Sequence, residues 1–479
     1  QAVVMEWDNP RMLHPDWSDA LFHRPQRGRS ATGRGLPVIW NSALAFQKFQ
    51  RLGHGELPVS DYLAYVDQAL SKGHQCFPIY GNDVEIFDFR PGRFKEESHL
   101  EEHREWQRLT EALKTLQERY AWVSPSGLLA YVEEGAAPLE LGSAVKPVPV
   151  KKQRKYNLTR WAVSGRNDLW LNTVCHRKAA ALLAAGDENE ESWRQLCRLW
   201  ASDFRTHLTD DRYEEVEGIL AQEGDEAPSW LRDAGEMAHE SIEGGEGACQ
   251  VVHDTQRNRL TVTTDEIELT LNLRRGGAVQ SLHFRKAQER PVLGTLEHAH
   301  FKDIQLGADY YSNHLVVELM PERKRVTDLN SCQWMVRSID GAPCVILEQT
   351  LELGVLRKGY LLKPASQLVC GYRFVGWTRP EGSMRLGYLT LLDDGSVPEV
   401  ACHNGGHELE RCVLEEDVDH GGPASSLVSA QASLGGTEGK ALFGSADHWV
   451  QVTWDPGVCA ALPMIYHKQL GGQRLARLF

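Results

Sequence analysis

Three carboxylates, Asp83, Glu85 and Glu6, are the side chains of this chain best placed by type and spacing to do proton chemistry. Residues 76–94 read CFPIYGNDVEIFDFRPGRF, in which the apolar run Phe77-Pro78-Ile79-Tyr80 stops at Gly81-Asn82 and delivers Asp83 and Glu85 at once. The C-terminal ends of strands are where a parallel α/β barrel places its catalytic groups. An acid lifted out of an apolar strand is also suited to tuned proton transfer. The same spacing fits a solvated turn with ordinary surface carboxylates. Val3-Val4-Met5-Glu6-Trp7 is a second strand that ends on an acid. Enough chain separates Glu6 from Asp83 for one or two βα units, so the two strand ends could converge in a closed sheet. Glycoside hydrolysis needs such a pair, one carboxylate as nucleophile or base and one as proton donor. Trp7, Trp40 and Tyr80 suit sugar-ring faces and suit core packing equally.

A second constellation lies further on. Tyr156-Asn157-Leu158-Thr159-Arg160-Trp161 leads into Ser164-Gly165-Arg166-Asn167-Asp168, and Trp200-Ala201-Ser202-Asp203-Phe204-Arg205-Thr206-His207 follows. Trp161, Arg166, Asp168, Trp200, Asp203 and His207 are candidates to line a polyhydroxylated ligand. The alternative is a buried polar network. His14-Pro15-Asp16 reads as a loop without a third ligand nearby, and His99 and His103, four apart on a charged helix, read as a solvated face. No HExxH, P-loop, GxSxG or strand-linked GxGxxG occurs, so no metal and no cofactor is expected.

The elements that must hold these residues change character along the chain. Up to about residue 150, strand-like pieces (Val3–Met5, Pro37–Trp40, Phe77–Tyr80) alternate with helical ones (Ser42–Leu52, Asp61–Ser71 with Ser60 as N-cap, Glu96–Tyr120). Such alternation predicts βα units on a parallel sheet. Leu109, Leu113 and Leu116 form the apolar stripe of the long charged helix. Pro138 to Val150 reads as a linker. Helices are expected at Leu169–Ala185, Glu191–Leu199 and Asp210–Gln222. From Cys249 onward, Arg259–Thr264, Ile267–Leu273, Ala278–Phe284 and Val345–Glu352 read as strands of an all-β sandwich. The fold class is thus multidomain: α/β with a partial (β/α)7 barrel in 1–150, a helical bundle in 151–248 and a β-sandwich in 249–479.

At 479 residues the chain exceeds a single core. A net charge of −14 argues against nucleic acid or an anionic membrane as the partner. Its ten cysteines show no CxxC pair or framework spacing, which suits reduced thiols and a cytoplasmic location. The absence of an initiator Met and the strand-like last residues suggest a fragment of a longer chain.

At the acids just described the sequence resembles glycoside hydrolase family 57, within the α-amylase, 4-α-glucanotransferase and α-mannosidase-like superfamily. In that family a strand-end Asp-Gly-Glu or Asp-Ala-Glu carries the general acid/base, matched here by Asp83-Val84-Glu85. The resemblance assigns Asp83 that role and makes Glu6 the best-placed nucleophile. Ser202-Asp203-Phe204 resembles the family's site-closing element, and Leu273-Arg274-Arg275-Gly276-Gly277 and Gly307–Ser312 resemble its sandwich. Val84 replaces the small middle residue of the triplet, and the family's N-terminal His-Gln strand is absent. The resemblance implies a retaining glycosidase or glucanotransferase on α-linked glucan-like saccharide. Its partner is an oligo- or polysaccharide. The alternatives are a metal-dependent α-mannosidase-like or deacetylase-like enzyme and a non-catalytic saccharide-binding protein.

Overall fold

A computed structural model describes the chain except residues 1, 30–32, 74, 82–86, 88–104, 150–166, 202–203, 205–208, 221–228, 233–240, 244–248, 297–303, 305, 320–321, 323, 378–381, 422–431 and 446–447. It divides into two compact units, Gln1–Tyr156 and Asn157–Phe479. Helices and sheets are mixed, the second unit is rich in β-strand, and no helix among the described residues is long and apolar enough to cross a membrane.

In the first unit β1 (Val3–Glu6), β2 (Gln26–Arg29), β3 (Gly35–Asn41) and β4 (Leu139–Glu140) form a four-stranded sheet in the order β1-β3-β2-β4. The β1–β3 and β2–β4 pairs are parallel, whereas β2 and β3 run antiparallel. The sheet is therefore mixed, and the described residues close no barrel. Val38, Ile39 and Trp40 are consecutive and all buried, the mark of a strand covered on both faces. The start of the predicted linker lies in the sheet as β4, because Leu139 and Glu140 pair with Gly28 and Arg29.

Among the described residues four helices accompany this sheet: α1 (Asp8–Arg11), α2 (Ala43–Gly53), α3 (Val59–Ser71) and α4 (Glu105–Arg119). Ser42 caps α2, its Oγ accepting from Ala45 N at 3.2 Å. Helix α3 starts earlier than expected. Pro58 is its N-cap and Ser60 lies in the first turn, its hydroxyl donating to Asp61 at 3.2 Å. Proline fixes the entry conformation, so a side-chain cap is not required. Phe49 and Leu52 of α2, Tyr62 and Val66 of α3, and Leu109, Ala112 and Leu116 of α4 meet in one core at helical spacing.

Phe77–Tyr80, expected as a strand, is irregular. Pro78 has no N–H for a ladder, and Phe77, Ile79 and Tyr80 all pack against the helical core instead of alternating between two faces.

The second unit opens with helices Asp168–Ala185, Glu190–Leu199 and Asp210–Leu220. Leu171, Val174, Leu196, Leu199 and Val216 make their common core. A large sheet of nine strands follows, running from Val418–Asp419 at one edge through Ile465–Leu470, Gln473–Leu478, Leu389–Leu391, Leu293–Gly294, Ala278–Phe284, Ile267–Asn272 and Arg259–Thr263 to Gln250–Asp254. All its pairings are antiparallel. A second sheet holds Gln367–Val375, Gly354–Lys363, Ala342–Leu351, Gln333–Ile339 and Ser241–Glu243. Leu260, Ile267, Leu269 and Leu282 from the large sheet share one core with Trp334, Val345, Leu347 and Tyr360 from the second. Period-two alternation puts these residues on facing surfaces, which makes a β-sandwich. The opposite face of the second sheet is covered by the short helix Ser229–Arg232, whose Leu231 packs on Met335, Ile346 and Leu361.

Candidate active site at the ends of two parallel strands

Glu6 is the last residue of β1 and Asn41 the last of β3, and the two are register partners. Partners across a parallel pair project to the same face. Trp7 N continues the ladder one step further, donating to Asn41 O at 3.0 Å. The Oε1 atom of Glu6 is shielded from solvent. Side by side at a strand end, a carboxylate and an amide supply an acceptor and a donor to whatever lies above them.

Asn41 also fixes the next segment. Its Nδ2 donates to Gly81 O at 2.9 Å. A Cβ added at Gly81 would lie 2.7 Å from the Asn41 side chain, so glycine is what allows so close an approach. Phe87 is 2% exposed and buried in the same helical core as Phe49 and Leu109. Gly81 and Phe87 thus anchor both ends of the segment that carries the two acids. Asp83 and Glu85 themselves lie outside the described residues.

Trp7, Trp40 and Tyr80, which suit sugar faces and core packing alike, are packed among other aromatic side chains. Trp7 is 6% exposed and has Phe22 stacked at 5.5 Å and Trp40 edge-on at 5.1 Å. Arg11 lies 5.7 Å from its ring centroid. These neighbours leave little of the Trp7 ring surface for a ligand. Trp40 is buried in the same cluster. Tyr80 packs among Phe49 at 5.2 Å, Phe87 at 5.4 Å and Phe46 at 6.5 Å. His14 stacks on Trp17 at 4.5 Å and its Nε2 sits 3.0 Å from Leu141 O, which accounts for its place in the loop.

The second constellation belongs to the second unit. Asp168 begins the helix Asp168–Ala185, and Trp200 is the C-cap residue of Glu190–Leu199, with 44% of its surface exposed. Phe204 is buried in the helical core, with the Arg198 guanidinium 5.9 Å from its ring. Trp161, Arg166, Asp203 and His207 lie outside the described residues. Asn167 is a tie between elements: its N donates to Gly382 O at 2.8 Å, and its side-chain amide bonds the Tyr213 hydroxyl. Among the described residues no three His, Cys, Asp or Glu side chains gather as a metal site.

One buried polar network has no counterpart in the sequence expectations. Lys358 Nζ and Asp328, 1% and 0% exposed, pair at 2.5 Å. Lys358 also donates to Asn313 O at 2.8 Å, and Asp328 accepts from Leu315 N at 2.9 Å. Asn313 takes a left-handed backbone (φ 56°) and donates to Tyr360 Oη at 2.8 Å, while Tyr360 donates to Gly277 O at 2.7 Å. Burial holds the Tyr360 phenol well above its ordinary value. At Gly276 (φ 60°) a Cβ would come within 1.7 Å of Asp328 O. The Gly276-Gly277 pair was therefore a readable signal of a close backbone approach. The Lys358–Asp328 ion pair and these hydrogen bonds tie the strands around it together.

No family model and no curated protein matches the chain. Two solved structures give partial likenesses. The 4-alpha-glucanotransferase from Thermococcus litoralis is 12% identical at a TM-score of 0.30, covering 100% of this chain and 76% of that one. HI1317 is 12% identical at a TM-score of 0.31, covering 48% of this chain and 92% of that one. At these scores neither likeness establishes a shared fold.

Proposed function

We propose that the chain is a retaining glycoside hydrolase or glucanotransferase acting on α-linked glucan-like polysaccharide, with Glu6 as nucleophile and Asp83 as general acid/base. The observation that carries this reading is the double role of Asn41, register partner of Glu6 and hydrogen-bond donor to Gly81. Two Cα–Cα steps, about 7.6 Å at most, separate Gly81 from Asp83. This short chain distance from Gly81 supports a pairing of the two acids. On this reading residues 1–150 are the C-terminal portion of a (β/α)7 catalytic barrel, 151–248 a helical bundle and 249–479 a sandwich domain.

Glu6 attacks the anomeric carbon while Asp83 gives its proton to the departing glycosidic oxygen, leaving a glycosyl-enzyme. Asp83, now ionised, takes a proton from water or an acceptor hydroxyl, which displaces Glu6 and restores the first configuration. The mechanism calls for carboxyl groups about 5–5.5 Å apart. Glu85 supports Asp83 as its neighbour in the loop. Proton NMR of the first-formed product from a maltooligosaccharide tests the reading. An α-configured product that disappears in Asp83→Asn is expected. An inverted product, or turnover unchanged in that variant, contradicts it.

A further inference from the structure

The large sheet has a second face, turned away from the sandwich core. Leu389 and Leu391 pack toward the core, so alternation places Thr390 and Tyr388 on the other side. Thr390 is the register partner of Arg477, and Arg477 of Tyr466, which sets these three side chains in one row. The Arg477 guanidinium lies 5.3 Å from the Tyr388 ring centroid and 5.5 Å from that of Tyr466. Arg477 is 1% exposed, and its Nε and Nη2 have no hydrogen-bond partner among the described residues. Those two nitrogens form the side-on fork by which an arginine grips a carboxylate or phosphate. The Thr390 hydroxyl, 0% exposed, also lacks a partner among the described residues.

Among the described residues no carboxylate forms an ion pair with Arg477; Asp309 acts on the neighbouring Tyr388, and Asp419 lies two strands away in the same row. Arg385 adds a second guanidinium 6.0 Å from the Tyr388 centroid, with its Nε unpartnered among the described residues. Glu318, 3.9 Å from Arg385, is held more closely by Arg325 at 2.8 Å. Asp309 lies 3.6 Å from His314 Nε2, and its buried Oδ1 has no hydrogen-bond partner among the described residues. Burial, with Asp309 adding to it, pushes the Tyr388 phenol up to about 12, so the ring stays neutral at physiological pH and supplies no anion. An arginine keeps its charge in a protein, and a buried charge without a partner is strongly destabilising. Ring faces offset part of this through cation–π attraction, and the Tyr388 hydroxyl shares a hydrogen bond with Arg477, but among the described residues Nε and Nη2 have no acceptor.

We propose that Arg477, with Arg385 and Thr390, forms a buried binding site for an oxyanion, the phosphate or carboxylate group of a small ligand, on the covered second face of the large sheet. Arg477 supplies the fork, Thr390 a hydroxyl donor and Arg385 the second positive charge. The site lies in the second unit and stands independently of the glycosidase reading.

Thermal unfolding of the full chain tests it with three probes at matched ionic strength: inorganic phosphate, glucuronate and glucose. At least one of the two anions is expected to raise Tm by roughly 2–4 °C for each tenfold increase in concentration above its Kd, and glucose to leave it unchanged. Response to phosphate alone identifies a phosphoryl site, and response to glucuronate identifies a carboxylate site. Arg477→Gln is expected to weaken the responding anion by roughly 10–150-fold, whereas a general salting effect would persist in that variant. Thr390→Val, a smaller change, should weaken it severalfold and keeps the test open if the arginine variant fails to fold. A Tm indifferent to both anions overturns the proposal, as does a response undiminished in the variants; Arg477 is then a charge held by its two tyrosines alone.

Discussion

The small sheet of the first unit and the large sheet of the second bring polar groups together in opposite ways. In the small sheet the proposed chemistry sits where strands stop. Glu6 and Asn41 are last residues, adjacent because β1 and β3 run parallel and in register. Beyond them the backbone turns away, and the Asn41 side chain meets Gly81. In the large sheet the polar residues sit within strands. Thr390, Arg477 and Tyr466 meet only because three antiparallel strands align across one face. A strand-end group can change its chemistry with little cost to packing. A group on a covered face is part of the packing, so its charge must be balanced where it lies.

The contrast breaks most readily at the strand end. Asp83→Asn and Glu6→Gln are each expected to lower turnover on maltooligosaccharides by roughly 10²–10⁴-fold, with the thermal midpoint nearly unchanged. A loss of folding parallel to the loss of turnover would erase the distinction between the two sheets. In the sandwich the order reverses. Asp328→Ala strands the buried Lys358 ammonium and is expected to cost about 3–5 kcal/mol in urea unfolding, while turnover per folded molecule is kept. A double change to Asp328→Ala with Lys358→Met should recover part of that loss, because no uncompensated charge remains.

Asn41→Ala sharpens the comparison from the other side. Removing one hydrogen bond to Gly81 should cost only about 1 kcal/mol of stability yet lower kcat by up to roughly 10²-fold through misplacement of the acid loop. Unchanged kcat would mean that Asn41 serves the fold alone.

Alkaline pH gives the smallest contrast. Burial raises the Cys344 thiol to about 12 and the Cys402 thiol to about 11, from an ordinary 9.0. It also raises the Tyr388 phenol to about 12 from 10.0. The folded chain therefore keeps protons that the unfolded chain releases. This contribution is complete below pH 9 and is lost as pH rises toward 12. Tyr62 of the first unit is raised in the same direction by burial, so both units should lose stability on this limb. Urea midpoints measured from pH 8 to 11 should fall steadily; a flat profile contradicts the assigned burial.

Much of this organisation was legible in the sequence wherever it depended on local pattern. Helical spacing located α2, α3 and the apolar stripe of α4, and alternation located the strands Arg259–Thr263 through Ala278–Phe284. Glu6 was visible because a strand ends on it. Asn41 was not singled out, although it directly follows Trp40, because an amide carries no titration signal. The apolar run Phe77–Tyr80 resembled a strand by composition alone, and its packing on helices is a tertiary fact. Gln26-Arg27-Gly28-Arg29 carries no strand pattern, yet it pairs with β3 and turns the expected parallel sheet into a mixed one. Arg477 and the Lys358–Asp328 pair were beyond reach, since both depend on registers between segments far apart in the chain.

The claim that Glu6 and Asp83 act as one catalytic pair meets its most direct test in trapping with a fluorosugar, followed by mass mapping of the labelled peptide. The account predicts a single covalent label on Glu6, with its formation slowed in Asp83→Asn. A label on any other carboxylate would contradict the pair, as would labelling that proceeds unchanged in Glu6→Gln.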